Sequence, residues 1–99
     1  MTRKVWILKR AERDLEEIFR YLARDRPSVA RSVVEDLLAA IESLAEAATR
    51  ASRPRDERLR RLGYFFLVRG PYLVFFKVAR RYVRVYRVLH GKRQYETLL

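Results

Sequence analysis

The chain has 99 residues, 49% of them hydrophobic and 35% charged, and a formal net charge of +11. That mix describes one folded domain over residues 1–99 and excludes a disordered tail. It contains no cysteine, which excludes a disulfide framework, thiolate metal sites and cysteine nucleophiles, and it suits a reducing cytoplasm.

The charge is unevenly spread. Residues 1–49 hold nine acids and nine Lys or Arg, while residues 50–99 hold three acids (Asp56, Glu57 and Glu96) and fourteen Lys or Arg. The whole excess lies in the second half, which points to an acidic or polyanionic partner there. Arginine outnumbers lysine 19 to 4, and its planar fork suits bidentate contacts to carboxylate or phosphate.

In chain order, Val5 to Leu8 is a short apolar strand candidate, too brief for a signal-peptide core or a membrane span. A soluble cytoplasmic protein without a membrane partner is therefore expected. From Ala11 to Arg24, Ala11, Leu15, Ile18, Phe19 and Leu22 recur at helical spacing, with Glu12, Asp14, Glu16, Glu17 and Arg20 assigned to the other faces. Asp25-Arg26-Pro27 interrupts that pattern, because proline ends one helix and fits the first turn of the next. The second helix is expected to reach about Ala48 through Ala30, Val34, Leu37, Ile41 and Leu44, forming an antiparallel helical hairpin with the first.

Thr49 to Arg61 is polar, proline-bearing and basic, and is expected to be a connecting linker. Leu62 to Val68 reads as a strand, Arg69-Gly70-Pro71 as a turn, and Tyr72–Val78 and Tyr82–Leu89 as a hairpin joined by Ala79-Arg80-Arg81. Both faces of the middle strand are apolar, which places it centrally in its sheet. A bulge near Tyr86-Arg87 is needed to return Val88 to the side of Val83 and Val85. The fold class is α+β: an N-terminal strand and an antiparallel helical hairpin packed on a C-terminal antiparallel β-meander, β-α-α-β-β-β.

Chemistry is sparse. The three glycines are scattered, so no phosphate loop exists, and one His without Cys gives no metal site. No cofactor is expected. The serines have no nucleophile-elbow context, so a Ser-His-acid triad is rejected. A metal-free ribonuclease remains conceivable, with His90 or Tyr95 moving protons and Arg81, Arg87 or Arg93 holding phosphate. The plainer alternative is that His90 caps the strand end through the backbone. Tyr64, Phe65, Phe66, Tyr72, Phe75, Phe76, Tyr82 and Tyr86 could stack bases, but at strand spacing they more readily form a core.

The stretches AERDLEEIFRYLARDRPSVA (11–30), IESLAE (41–46), RPRDERLRRL (53–62) and YLVFFKV…VRVYRVLHGKRQYETLL (72–99) resemble a ParE-type toxin of the RelE/ParE toxin–antitoxin superfamily. The ending VLHG-x-R…LL is the most specific part. Lys9-Arg10 replaces the family's Ser-Pro-like helix start, and Phe76 stands where Tyr is frequent. The resemblance implies a non-enzymatic inhibitor of DNA gyrase, neutralised by a cognate ParD-like antitoxin with an acidic amphipathic C-terminal segment. Direct nucleic-acid binding is not required of it. RelE members instead cut mRNA on the ribosome with basic residues and a C-terminal Tyr or His, which would enlist Arg81, Arg87, His90 and Tyr95. A basic nucleic-acid-binding module is a third reading. Target or antitoxin contact is expected at Arg58, Arg60, Arg61, Arg84, Arg87, His90, Lys92 and Arg93 on a basic rim and tail.

Overall fold

The computed structural model describes residues 2–99. Strand β1 (Lys4–Ile7) leads into α1 (Lys9–Ala23) and α2 (Pro27–Ala47). A single 3₁₀ turn (Ala48–Arg50) and the short α3 (Glu57–Arg61) follow, then β2 (Tyr64–Arg69), β3 (Tyr72–Val78), β4 (Tyr82–His90) and α4 (Tyr95–Leu98). The strand–helix–helix–three-strand order is the one predicted. Pro27 sits in the first turn of α2, where its missing N–H costs nothing. Helix α1 starts without a side-chain cap, as Lys9-Arg10 implied.

The sheet order is β1-β4-β3-β2. Strands β2, β3 and β4 form the antiparallel meander, and β1 pairs parallel to β4, with Val5 opposite Val83 and Ile7 opposite Val85. Between β3 and β4 the register slips, so that Phe75 faces Arg87 while Phe76 faces Val85. Tyr86 is the extra residue, a bulge at the predicted place, and it returns Val88 to the side of Val83 and Val85.

One face of the sheet, the inner face, meets the helical hairpin. Leu37, Ile41 and Leu44 of α2 and Ala11 and Leu15 of α1 pack there on Val74, Phe76, Val83, Val85 and Val88. The outer face carries a smaller core of Leu59, Tyr64, Phe75 and Leu89, covered by Tyr95, Leu98 and Leu99. That second core corrects the expectation of a plain linker over Thr49–Arg61. Asp56 Oδ1 accepts the Leu59 N–H at 3.0 Å and caps α3, which drops Leu59 fully out of solvent. Gly63, at φ 90°, ends the helix where a side chain would be strained. Ser52 exchanges two backbone hydrogen bonds with Phe66, so the segment also shields part of the β2 edge.

Candidate functional site

The expected basic rim divides into three places. At the first, Arg87 is not on the surface at all: it is 8% exposed and held by Asp14 of α1. Its Nε and Nη2 donate to the two Asp14 oxygens at 2.8 and 3.1 Å, and Nη1 donates to the Leu98 carbonyl at 3.2 Å. The cause is topological. Strand β1 stops at Ile7, so β4 runs on with an uncovered edge, and Asp14 Oδ2 also accepts the Val88 N–H at 2.9 Å. Arg10 Nη1 lies 2.9 Å from Asp14 Oδ1, adding charge without an aligned hydrogen bond. Arg87 thus leaves the set of surface contact residues, and Asp14 leaves the solvent face assigned to it. Only its position one residue before Leu15, on the edge of the apolar stripe, hinted at burial.

At the second place, α3 and the chain end are tied together. Arg58 Nη1 and Nη2 donate to the carbonyls of Glu96 and Leu99 at 3.2 and 3.0 Å. Tyr95 lies against Phe75, ring centroids 5.0 Å apart, and is half-buried in the outer core. Arg60 and Arg61 stay exposed, Arg61 in a loose pair with Glu57 at 3.9 Å. At the third, His90 Nδ1 accepts the Lys92 N–H at 3.1 Å and its ring meets Tyr72 edge-on, so the histidine does cap the strand end. Lys92 and Arg93 follow it in an exposed turn.

The ribonuclease set is not brought together. Arg81 precedes β4 and His90 ends it, nine residues on, or about 30 Å at strand rise. Tyr95 is on the outer face and Arg87 is consumed by Asp14. Arg84 lies apart from the tail, over the rings of Trp6 and Tyr82. Among the described residues no three His, Asp or Glu side chains converge on a metal position. No helix is long and apolar enough to cross a membrane.

Two grooves flank the second half of α1, and neither was legible as a site in the sequence. The larger, of about 940 Å³, runs between Ile18, Tyr21 and Leu22 of α1 and Tyr72, His90 and Arg93 at the far end of the sheet. Arg20 and Arg24 also line it, and Tyr21 stands 69% exposed at its lip. Burial, and then the neighbouring Tyr21, raise the pKa of the Tyr72 phenol. The smaller groove, of about 360 Å³, is a cleft in the helical hairpin formed by Leu15, Phe19, Val34 and Leu38 and bordered by Glu16 and Arg20. The helical spacing places Phe19 and Val34 in the packed seam; in the structure Phe19 is 38% exposed and Val34 half-buried, because α2 turns Leu37, Ala40 and Ile41 to the core instead.

Residues 5–95 match the family described as the ParE toxin of the type II toxin–antitoxin system, parDE. Among solved structures, a chain of the chromosomal ParDE toxin–antitoxin system from P. aeruginosa superposes with a TM-score of 0.76 at 22% identity, over 90% of this chain and 96% of that one. A chain of the toxin–antitoxin complex RelBE2 from Mycobacterium tuberculosis superposes with a TM-score of 0.64 at 25% identity, over 91% of this chain and 99% of that one. No curated protein sequence matches.

Proposed function

Because this chain belongs to the ParE toxin family of type II toxin–antitoxin systems, we propose that it acts in the cytoplasm by protein–protein contact with DNA gyrase, not by cutting RNA. The observation that carries this reading is the scattering of the four groups an RNA-cleaving site would need. His90 spends Nδ1 on its own backbone, Arg87 is locked to Asp14, Tyr95 is packed on Phe75, and Arg81 lies a strand length away. General acid–base catalysis requires its groups within hydrogen-bond reach of one substrate atom, and these face different sides of the domain.

The partner that silences the toxin is, in this reading, a cognate ParD-like antitoxin. The larger groove is apolar at its centre, and Arg20, Arg24 and Arg93 outnumber Asp14 and Glu17 along it, so an amphipathic helix or strand with acidic flanks is the complementary ligand. The exposed cations at Arg60, Arg61 and Lys92 are left for the target.

The test is a supercoiling and cleavage assay with purified gyrase, run beside an mRNA-cleavage assay in a translation extract. Loss of supercoiling with accumulation of cleaved DNA, and intact mRNA, supports the proposal. Untouched gyrase at high toxin concentration overturns it. Cleavage of mRNA that disappears in His90→Ala or Tyr95→Phe would establish the RelE-like reading instead.

A further inference from the structure

The cover that α3 and α4 give the outer face stops before its β1 side. What those helices leave uncovered is a patch on three adjacent strands: Lys4 and Trp6 of β1, Tyr82 and Arg84 of β4, and Lys77 of β3, with the half-buried Tyr86 of β4 at its border with the outer core. The Trp6 and Tyr82 rings lie against each other with centroids 4.6 Å apart, and Trp6 is 42% exposed. The Arg84 guanidinium sits 5.7 Å from one ring centroid and 5.9 Å from the other. Lys77 Nζ lies between the rings of Tyr64 and Tyr86, 4.6 and 4.9 Å from their centroids.

Two features set this patch apart from an ordinary solvated surface. Lys77 and Arg84 are direct cross-strand partners, an arrangement of like charges that weakens a sheet unless something neutralises it. Among the described residues, no carboxylate forms an ion pair with Lys4, Lys77 or Arg84. The patch also pairs its unneutralised cations with aromatic rings, of which Trp6 is exposed and Tyr82 and Tyr86 are half-buried. The cations call for an anion, and the rings call for a flat apolar surface carried by that same anion. A strand with unpaired bases supplies both, with phosphates on Lys and Arg and bases on Trp and Tyr. A duplex hides its base faces, and a purely acidic peptide would answer the cations without using the rings. The three strands span about 10 Å, which suits a segment of two or three nucleotides. The six side chains include no carboxylate or amide, and only the Tyr82 and Tyr86 hydroxyls could accept from a ribose 2′-hydroxyl, so the patch carries little that would select RNA over DNA.

We propose that this bare half of the outer face binds single-stranded DNA, stacking a base on the Trp6–Tyr82 pair and seating phosphates on Lys4, Arg84 and Lys77. The inference does not rest on gyrase as the target. It also differs from bulk attraction by a chain of net charge +11, because it names the ring that the base covers.

Trp6 is the sole tryptophan, so its emission reports on this patch alone. Titrating the full chain with a short oligodeoxythymidylate is expected to quench Trp6 emission, with an affinity that falls steeply with salt. By anisotropy of a labelled oligonucleotide, Trp6→Ala and Arg84→Ala are each expected to weaken binding about tenfold. Arg84→Ala should also lower the salt slope by about 0.7. Arg31→Ala, an exposed cation on α2, should leave binding unchanged. Melting curves identify any variant that has lost its fold, and Arg84, being exposed, provides the second variant if Trp6→Ala does. The proposal is overturned by unchanged Trp6 emission at saturating oligonucleotide or by equal binding of an abasic oligonucleotide. A polyglutamate peptide that quenches as well, or tighter binding of the ribo-oligonucleotide, would overturn it equally by pointing to an acidic protein or to RNA.

Discussion

On the inner face of the sheet, Val74, Phe76, Val83 and Val85 are fully buried beneath helices of 15 and 21 residues. On the outer face the covering helices have five and four residues and end short of Trp6 and Arg84. The inner layer follows from apolar periodicity. The outer layer is assembled from single anchors: the Asp56 cap, the Leu59 plug and the Arg58 clasp on the chain end. A sheet with one face devoted to folding can leave the other free to collect charge, as it does at Lys4, Lys77 and Arg84.

The largest break in this contrast is expected where the two layers meet. Asp14→Ala or Arg87→Ala strands a buried charge and orphans the Val88 N–H or the Leu98 carbonyl, and should cost about 3–5 kcal/mol. At about 4–8 °C per kcal/mol for a domain of this size, thermal melting should shift by about 12–40 °C. The double change Asp14→Leu with Arg87→Met removes both charges and should recover part of that loss. Partial recovery separates the buried pair from the backbone hydrogen bond that stays broken.

Next comes a paired measurement across the sheet. Phe76→Ala, on the inner face, should cost about 3–5 kcal/mol by urea denaturation. Tyr95→Ala, which uncovers the half-buried outer core, should cost about 1 kcal/mol. Equal costs would mean that the outer layer is as cooperative as the inner one. Asp56→Ala should take about 1 kcal/mol by freeing the Leu59 N–H, and hydrogen exchange should rise first in α3.

The smallest effect is on the pH axis. Burial raises the phenols of Tyr64 and Tyr72 above the usual tyrosine value, with Tyr86 adding at Tyr64, where Arg58 and Arg87 oppose it, and Tyr21 adding at Tyr72. The unfolded chain therefore releases these protons first. Their contribution is complete below pH about 10 and is lost as pH rises through the folded-state values. Tyr72→Phe should flatten that alkaline decline in chemical melts.

What the residues disclosed in advance was whatever repeats locally. The helical stripes, Pro27, the alternation along Tyr72–Val78 and the parity break near Val88 each fixed an element before any contact was known. Three features left no such trace. The β1–β4 pairing joins residues about 80 apart in the chain. Asp14 sits at the edge of an apolar stripe like any solvent-facing acid, and only the early end of β1 draws it inward. The clasp of Arg58 on the last residues hides among several arginines of identical local context. The same limit applies to the binding surfaces. Basic composition pointed to the second half of the chain, but it could not separate exposed Arg84 from buried Arg87, three residues on along the same strand.

The parallel pairing of β1 with β4 also sets the timing of the chain's maturation. The helical hairpin is made of near-neighbour contacts and can form early, yet its seam faces a sheet whose central strand β4 comes well after it in the chain. Long-range closures of this kind come late because loop entropy must be met before any contact rewards it. Until β4 docks, the hairpin is a half-built layer with its apolar stripe uncovered. The domain is finished only when β4 takes its place between β1 and β3.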